Sequence, residues 1–240
     1  MSEVLSAPAA KDDVEPSERQ PEIGAFLAEQ GYDGLDDEQR LEMLIEEASL
    51  DSYFDLVDKI HRSVAPNADP NQNPVASTIS NPQGEVVAKL AEPAERMKIL
   101  QTALDLAKQV AEKYRASGGS IRDALRRCGN LLAFGVVLAH PYKDGNGRTS
   151  RVLGMLIQDG YDAHSQESTD DLECFSQNRE GTKGFIPNGY IPGGEWSGSG
   201  AAQNPSEFLT AVAQLDVPLD DKLYDEKLSG FMAPPPLQFK

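Results

Sequence analysis

Cysteine is scarce in this sequence, since Cys128 and Cys174 are the only two among 240 residues. A chain of this length can bury a hydrophobic core without disulfides, so we expect both cysteines to be reduced thiols. Long apolar runs are also missing. No stretch approaches the roughly 20 apolar residues that a membrane-spanning helix needs, and residues 1–20 carry no hydrophobic signal region. The sequence therefore predicts no membrane association and a cytoplasmic location, with secretion as an effector by another route left open.

Basic residues are in the minority. Lys and Arg number 22 against 39 Asp and Glu, which gives a formal net charge of −17 at pH 7. Because such a chain repels polyanions, we expect no nucleic acid among its partners. The hydrophobic fraction of 39% and the charged fraction of 25% are typical of a globular protein. The length corresponds to one large domain or one domain with appendages.

Composition and hydrophobic periodicity divide the chain into four regions. Residues 1–21 hold few large apolar residues and are predicted to be a disordered tail. Residues 22–66 carry apolar residues in helical register and are predicted to form an N-terminal helical preface. Residues 67–182 form the predicted core, and 183–240 are an irregular C-terminal extension with one short helix at Ser206–Leu215.

The core region begins with a predicted hairpin and continues with helices. Two short extended segments within 75–90 flank a turn at Asn81–Gly84. A long helix begins at Pro93 and a second, capped by Ser120, becomes apolar nearly all round before it ends at His140. A third helix begins near Asn146, and a shorter one is predicted over Ser168–Glu180. In the preface, Asp51 or Ser52 is the expected cap between two helices. The pattern predicts a mainly α fold.

The strongest chemical signal lies in residues 140–151, which read His-Pro-Tyr-Lys-Asp-Gly-Asn-Gly-Arg-Thr-Ser-Arg. Gly145 and Gly147 leave main-chain N–H groups uncovered at the start of a helix, where the first four such groups lack helical partners. A helix start of this kind binds anions. Arg148 and Arg151 are three residues apart, so they project from nearly one face and add bidentate contacts to phosphate oxygens.

Two further residues of the segment supply a metal ligand and a base. The carboxylate of Asp144 would repel a bound phosphate unless a divalent cation lay between them, and Mg²⁺ commonly takes one or two carboxylates together with phosphate oxygens and water. Imidazole titrates near neutral pH, so His140 is a candidate base for an incoming hydroxyl. Together these residues predict a site for phosphoryl or nucleotidyl transfer.

The segment closely resembles the signature of the Fic family, His-x-Phe-x-[Asp/Glu]-Gly-Asn-Gly-Arg-x-x-Arg, with Tyr142 in place of the phenylalanine. Fic enzymes transfer AMP from ATP to a hydroxyl of a target protein and release pyrophosphate. The resemblance implies a Fic-type helical core with a small β-hairpin flap, Mg²⁺ and ATP as cofactor and substrate, and a protein partner bearing a Ser, Thr or Tyr hydroxyl. It implies the following roles: His140 as general base, Asp144 as Mg²⁺ ligand, Gly145, Asn146 and Gly147 as anion hole, and Arg148 and Arg151 as phosphate contacts. Tyr142 would be the buried aromatic anchor of the loop.

The resemblance is strict over residues 140–151 and looser over about 93–160, where helix, helix, motif and helix follow one another as in the family core. The predicted hairpin at 75–90 lies where Fic proteins carry a flap that aligns the target by strand addition, and this similarity is one of position only. Family members that transfer other groups often depart from the Gly-Asn-Gly run at 145–147. Because this chain keeps the run, AMP transfer is favoured.

A second family feature is an inhibitory motif, [Ser/Thr]-x-x-x-Glu-[Gly/Asn], whose glutamate pairs with the second motif arginine. Residues 176–181 match it, which implies self-inhibition through Ser176 and Glu180, although so short a pattern also arises by chance. The open alternatives are a Fic-type phosphotransferase, an enzyme that removes AMP, and a nucleotide-binding module held inactive by an inhibitory partner. His61 and His164 are expected to be ordinary surface or boundary residues, and Cys128 a core residue.

Overall fold

The computed structural model describes residues 24–65, 78–80, 86–89, 91–143, 145–177 and 204–215. The predicted tail at 1–21 and most of the C-terminal extension lie outside the described residues. The described part is mostly helical, which confirms the prediction of a mainly α fold.

The described helices follow one another along most of the chain. In chain order they are α1 at residues 24–29, α2 (Asp37–Glu42), a π-helix (Met43–Glu47), α3 (Leu50–Val64), α4 (Pro93–Ser117), α5 (Ile121–Ala139), α6 (Asn146–Gln158), α7 (Gln166–Gln177) and α8 (Pro205–Gln214). Two short strands, β1 (Thr78–Ser80) and β2 (Val86–Lys89), pair antiparallel with a register shift between Ile79 and Ser80. The residues between the strands lie outside the described part, and the use of this region as a flap stays a prediction.

The helix ends follow from local sequence chemistry. The Ser120 hydroxyl accepts a hydrogen bond from the Asp123 N–H, so Ser120 caps α5 as predicted. The cap of α3 is Ser49, whose hydroxyl accepts a hydrogen bond from the Ser52 N–H. In return, the Ser52 hydroxyl accepts a hydrogen bond from the Ser49 N–H. The expectation of Asp51 or Ser52 as the cap was wrong, because the reciprocal capping box places the cap three residues before Ser52.

Helix α5 is the centre of the fold. Every residue from Arg127 to Ala139 is buried, and α5 packs against α4 on one side and α6 on the other. A Cβ added to Gly135 would lie 2.5 Å from the Ala103 Cβ of α4, so glycine allows these two helices to approach closely. Helix α8 closes the core from the C-terminal side, where Phe208 meets Phe134 edge to face with ring centroids 5.0 Å apart.

The helices of the preface pack on this same core. Helix α3 contacts α6 and α4, and the Tyr53 hydroxyl donates to the Leu132 carbonyl of α5 at 3.0 Å. The Arg40 guanidinium donates to the Leu35 carbonyl at 2.7 Å and to the Gln158 carbonyl, at the end of α6, at 3.3 Å. The preface therefore contributes directly to the surroundings of α6, which carries the predicted site. None of the described helices combines the length and the apolar character needed to traverse a bilayer.

Candidate active site

The described residues of the predicted site lie at the junction between α5 and α6. Helix α5 ends at Ala139, and His140 follows in the left-handed conformation with φ 47° and ψ 57°, its N–H donating to the Val136 carbonyl at 2.9 Å. Among the described residues, His140 is the one non-glycine residue with a positive φ. This conformation costs about 1–2 kcal/mol for a residue with a Cβ. The turn therefore holds the candidate base in a strained position, as is common at functional sites.

Helix α6 begins after a second left-handed residue, Gly145, with φ 82°. The first helical hydrogen bond runs from the Thr149 N–H to the Gly145 carbonyl at 2.9 Å. The N–H groups of Asn146 and Gly147 therefore precede the helical ladder, at the positive end of the helix dipole. A helix start of this kind favours anion binding, and the anion hole stays a prediction.

A side chain of the motif braces the loop from within. The Asn146 amide oxygen accepts from the Tyr142 N–H at 3.0 Å, and its nitrogen donates to the Tyr142 carbonyl at 2.6 Å. Both residues are buried. Because the Asn146 side chain is committed to the Tyr142 main chain, its contribution to the predicted anion hole is limited to its own main-chain N–H. The brace fixes the loop before any ligand binds.

Two arginines bring positive charge to the helix start. Arg148 donates from Nη1 to the Val64 carbonyl at the end of α3, at 2.8 Å. Arg151 is buried, and a Cβ added to Gly147 would lie 3.4 Å from its Nη1 atom. Burial and the like charge of Arg148 lower the pKa of Arg151 to about 10. The two guanidinium groups thus repel each other beside the predicted anion hole, and a bound phosphate would relieve that repulsion.

Tyr142 is a buried anchor, and it packs against a histidine that was not expected to be buried. The Tyr142 ring stacks on the His61 ring of α3, with centroids 3.6 Å apart and planes 10° apart. His61 is 1% exposed, so its interpretation as an ordinary surface or boundary residue was wrong. The signal was present in the sequence, because His61 lies four residues after Val57 and three before Val64, both on the buried face of α3.

The hydroxyl of Tyr142 is the polar end of this anchor. No described residue gives it a hydrogen bond of ordinary geometry. Burial and the nearby Asp58 carboxylate nevertheless raise the pKa of the phenol, and Asp58 itself pairs with Arg62 at 2.7 Å. The phenol is therefore neutral at physiological pH, and the aromatic ring, rather than a charged oxygen, supports the loop.

The remaining predicted residues are placed only in part. Asp144 and Glu180 lie outside the described residues, and Ser176 lies within α7 with only its backbone described. Over the described residues no group of three or more His, Cys, Asp or Glu side chains could hold a metal ion. An ion shared between one carboxylate and substrate phosphates needs no such group. The cationic helix start fits the phosphates of that arrangement, and Asp144 stays the predicted ligand.

Cys128 takes the core position that the sequence predicted. Its side chain is fully buried, and its Sγ–H donates to the Ala107 carbonyl of α4 at 3.2 Å. Burial raises the pKa of this thiol to about 12, which excludes a reactive thiolate at neutral pH.

Comparisons with known proteins found no match for this chain among protein-family models, curated proteins or solved structures. The Fic-type interpretation therefore stays a prediction supported by the motif residues and by the geometry around them.

Proposed function

We propose that this chain is a Mg²⁺-dependent protein adenylyltransferase of the Fic type, which transfers AMP from ATP to a Ser, Thr or Tyr hydroxyl. One observation carries the proposal. The left-handed residues His140 and Gly145 bracket a loop that is braced from inside and ends at a helix start beside two arginines. A structural connection between two helices does not require a strained histidine and two like charges at the same place.

The helix start supports binding of the triphosphate. The N–H groups of Asn146 and Gly147 face the phosphate oxygens, and the guanidinium groups of Arg148 and Arg151 neutralise their charge. Asp144 would hold Mg²⁺, which would supply further neutralisation of the phosphate charge. The helix start and the two arginines belong to a folded core, so they would stabilise developing negative charge without rearrangement.

His140 acts on the nucleophile. The target hydroxyl oxygen attacks the α-phosphorus of ATP, and its proton passes to the His140 imidazole. A new oxygen–phosphorus bond forms to the target, the bond from the α-phosphorus to the bridging oxygen breaks, and pyrophosphate leaves. The products are the AMP-modified protein and pyrophosphate, and the imidazole returns its proton to solvent.

The finer parts of the Fic-type architecture belong to this proposal. The antiparallel strands β1 and β2 support a flap that pairs with an extended segment of the target and presents its hydroxyl to His140. The segment from Ser176 to Glu180 begins in the last turn of α7, and we assign it an inhibitory role toward Arg151. Relief of that inhibition, or of inhibition by a separate partner, would then control the activity.

Labelled ATP tests the reaction type. The protein is incubated with Mg²⁺, a lysate and ATP carrying the label in either the α- or the γ-phosphate. We expect the α-label to become protein-bound and the γ-label to appear in pyrophosphate, with a mass gain of one AMP on the modified protein. Transfer of the γ-label would contradict the proposal and indicate a phosphotransferase, and binding without turnover would indicate a nucleotide-binding module.

A pair of histidine variants tests the assignment of the base. His140→Ala removes the imidazole at the junction, so AMP transfer should fall at least a hundredfold, which is the usual contribution of a general base. ATP binding should stay within about twofold, since the phosphate contacts come from α6. His164→Ala is the matched control, because His164 is exposed beyond the end of α6. Unchanged transfer by His140→Ala would overturn the assignment.

A further inference from the structure

The ring of His61 contacts the predicted phosphate loop at two places. One face of the imidazole stacks on Tyr142, with ring centroids 3.6 Å apart. Its edge lies against Gly145, where an added Cβ would come within 3.2 Å of the His61 Cδ2 and Nε2 atoms and 2.7 Å of the Ala65 Cβ. Tyr142 and Gly145 stand on either side of residues 143 and 144. A single buried side chain of α3 therefore supports both ends of the loop segment that carries the predicted Mg²⁺ ligand.

The same turn of α3 also holds a phosphate contact. The Val64 carbonyl, three residues after His61, accepts a hydrogen bond from Arg148 Nη1 at 2.8 Å. The inner side of the loop is fixed by the Asn146 amide, and its outer side is fixed by α3. The position of the Gly145 backbone, and with it the direction of the first N–H groups of α6, depends on both supports.

We propose that His61 is a positioning residue for nucleotide binding, which holds the phosphate loop by ring stacking on Tyr142 and by edge contact with Gly145. The inference rests on the proposed function in one respect, namely that the loop binds the phosphates of ATP. His61 acts through Tyr142 and Gly145 rather than by touching the nucleotide. Its flat ring is the feature that matters, because a stacked ring fills the space over Tyr142 without displacing the glycine.

Substitutions that keep or remove the flat ring test this role. Titration calorimetry measures the Kd for ATP with Mg²⁺ and for pyrophosphate, at a temperature where circular dichroism shows every variant to be folded. His61→Ala should weaken ATP binding about tenfold, since the stacked pair and its packing are lost. His61→Phe keeps a ring and should remain within about twofold of the wild type. His61→Gln, which has similar size without a ring, should resemble His61→Ala.

A matched control separates loop positioning from general loss of stability. Leu56 is buried on the same helix but lines a mainly apolar pocket of about 230 Å³, together with Leu132 and Ile157. Leu56→Ala should lower the melting temperature by as much as His61→Ala or more, with the Kd for ATP unchanged. Should His61→Ala not fold, His61→Gln and His61→Phe carry the comparison.

Three results would overturn the proposal: ATP affinity within twofold of wild type in the ringless variants, an equal loss in His61→Phe, or an equal loss in Leu56→Ala. The outcome for the proposed function is separate. A wild type that binds ATP but transfers no AMP would refute adenylyl transfer and leave the positioning role to be judged by the Kd values alone. A wild type that transfers AMP while His61→Ala binds ATP normally would refute only the role of His61. Absence of ATP and pyrophosphate binding by the wild type would refute both.

Discussion

The left-handed conformation of His140 should affect the stability of the folded protein, independently of any role in catalysis. With φ 47° and ψ 57°, His140 occupies a region that costs about 1–2 kcal/mol for a residue with a Cβ. Glycine escapes this cost but loses about 0.5–1 kcal/mol more conformational entropy on folding. The middle of the two ranges leaves about 0.5–1 kcal/mol in favour of glycine at this position.

The difference in stability between His140→Gly and His140→Ala isolates this backbone contribution. Both variants lose the imidazole and its contacts, so their difference reports the backbone alone. We expect His140→Gly to be more stable by about 0.5–1 kcal/mol, which corresponds to a melting temperature higher by about 1–4 °C for a chain of this size. Urea unfolding gives the free energies, and neither variant should transfer AMP.

Gly118 provides the matched control at the end of α4. It has φ 63°, and an added Cβ would meet no atom within 4 Å, so Gly118→Ala introduces the left-handed cost without a clash. The loss of stability in Gly118→Ala should equal the gain of His140→Gly over His140→Ala. If Gly118→Ala is destabilised as expected but the two His140 variants are equally stable, His140 is not held in a strained conformation and the reasoning fails.

Three further predictions concern the loop, the core thiol and the inhibitory segment. Gly145→Ala should cost about 2–5 kcal/mol and abolish ATP binding, because it adds both left-handed strain and a 2.7 Å contact with the Ala65 Cβ, just after α3. Gly147→Ala, within α6, should fold at least as stably as wild type. Equal stability of the two variants by urea unfolding would contradict this prediction. In a Cys174→Ser background, Cys128 should resist a thiol reagent at pH 8 until the protein unfolds, since burial raises the pKa of its thiol to about 12. Labelling of Cys128 in the native protein would refute its buried position. Glu180→Gly should raise self-modification with α-labelled ATP, whereas equal rates would remove the inhibitory role.

The helices could be predicted from the sequence because their signals are local. Apolar residues at three- and four-residue spacing, Pro93 at a first turn, Ser120 as a cap and Gly118 after a last turn each act within a few residues. The cap of α3 was misplaced by a few residues because Ser49, Asp51 and Ser52 all have side chains suited to capping. Only the reciprocal hydrogen bonds of Ser49 and Ser52 distinguish among them.

The left-handed conformation of His140 and the exact use of Asn146 could not be predicted in the same way. Proline at 141 indicated that α5 ends, but not which backbone region His140 would adopt. The resemblance implied an anion-hole role for Asn146, which stays a prediction for its main-chain N–H, but it did not indicate that the side chain braces the Tyr142 main chain. Both features depend on how the loop closes between two packed helices.

The sequence by itself determined which residue types stand between α5 and α6 and that both flanking segments are helical, since these are properties of a short stretch of chain. Tertiary structure alone decided what lies against that stretch. Val64 and Arg148 are 84 positions apart, and His61 meets Tyr142 and Gly145 only because α3 packs against α6. Hydrophobic periodicity indicates which face of a helix is buried. It does not predict which residues pack against that face, because this depends on the packing of the whole core.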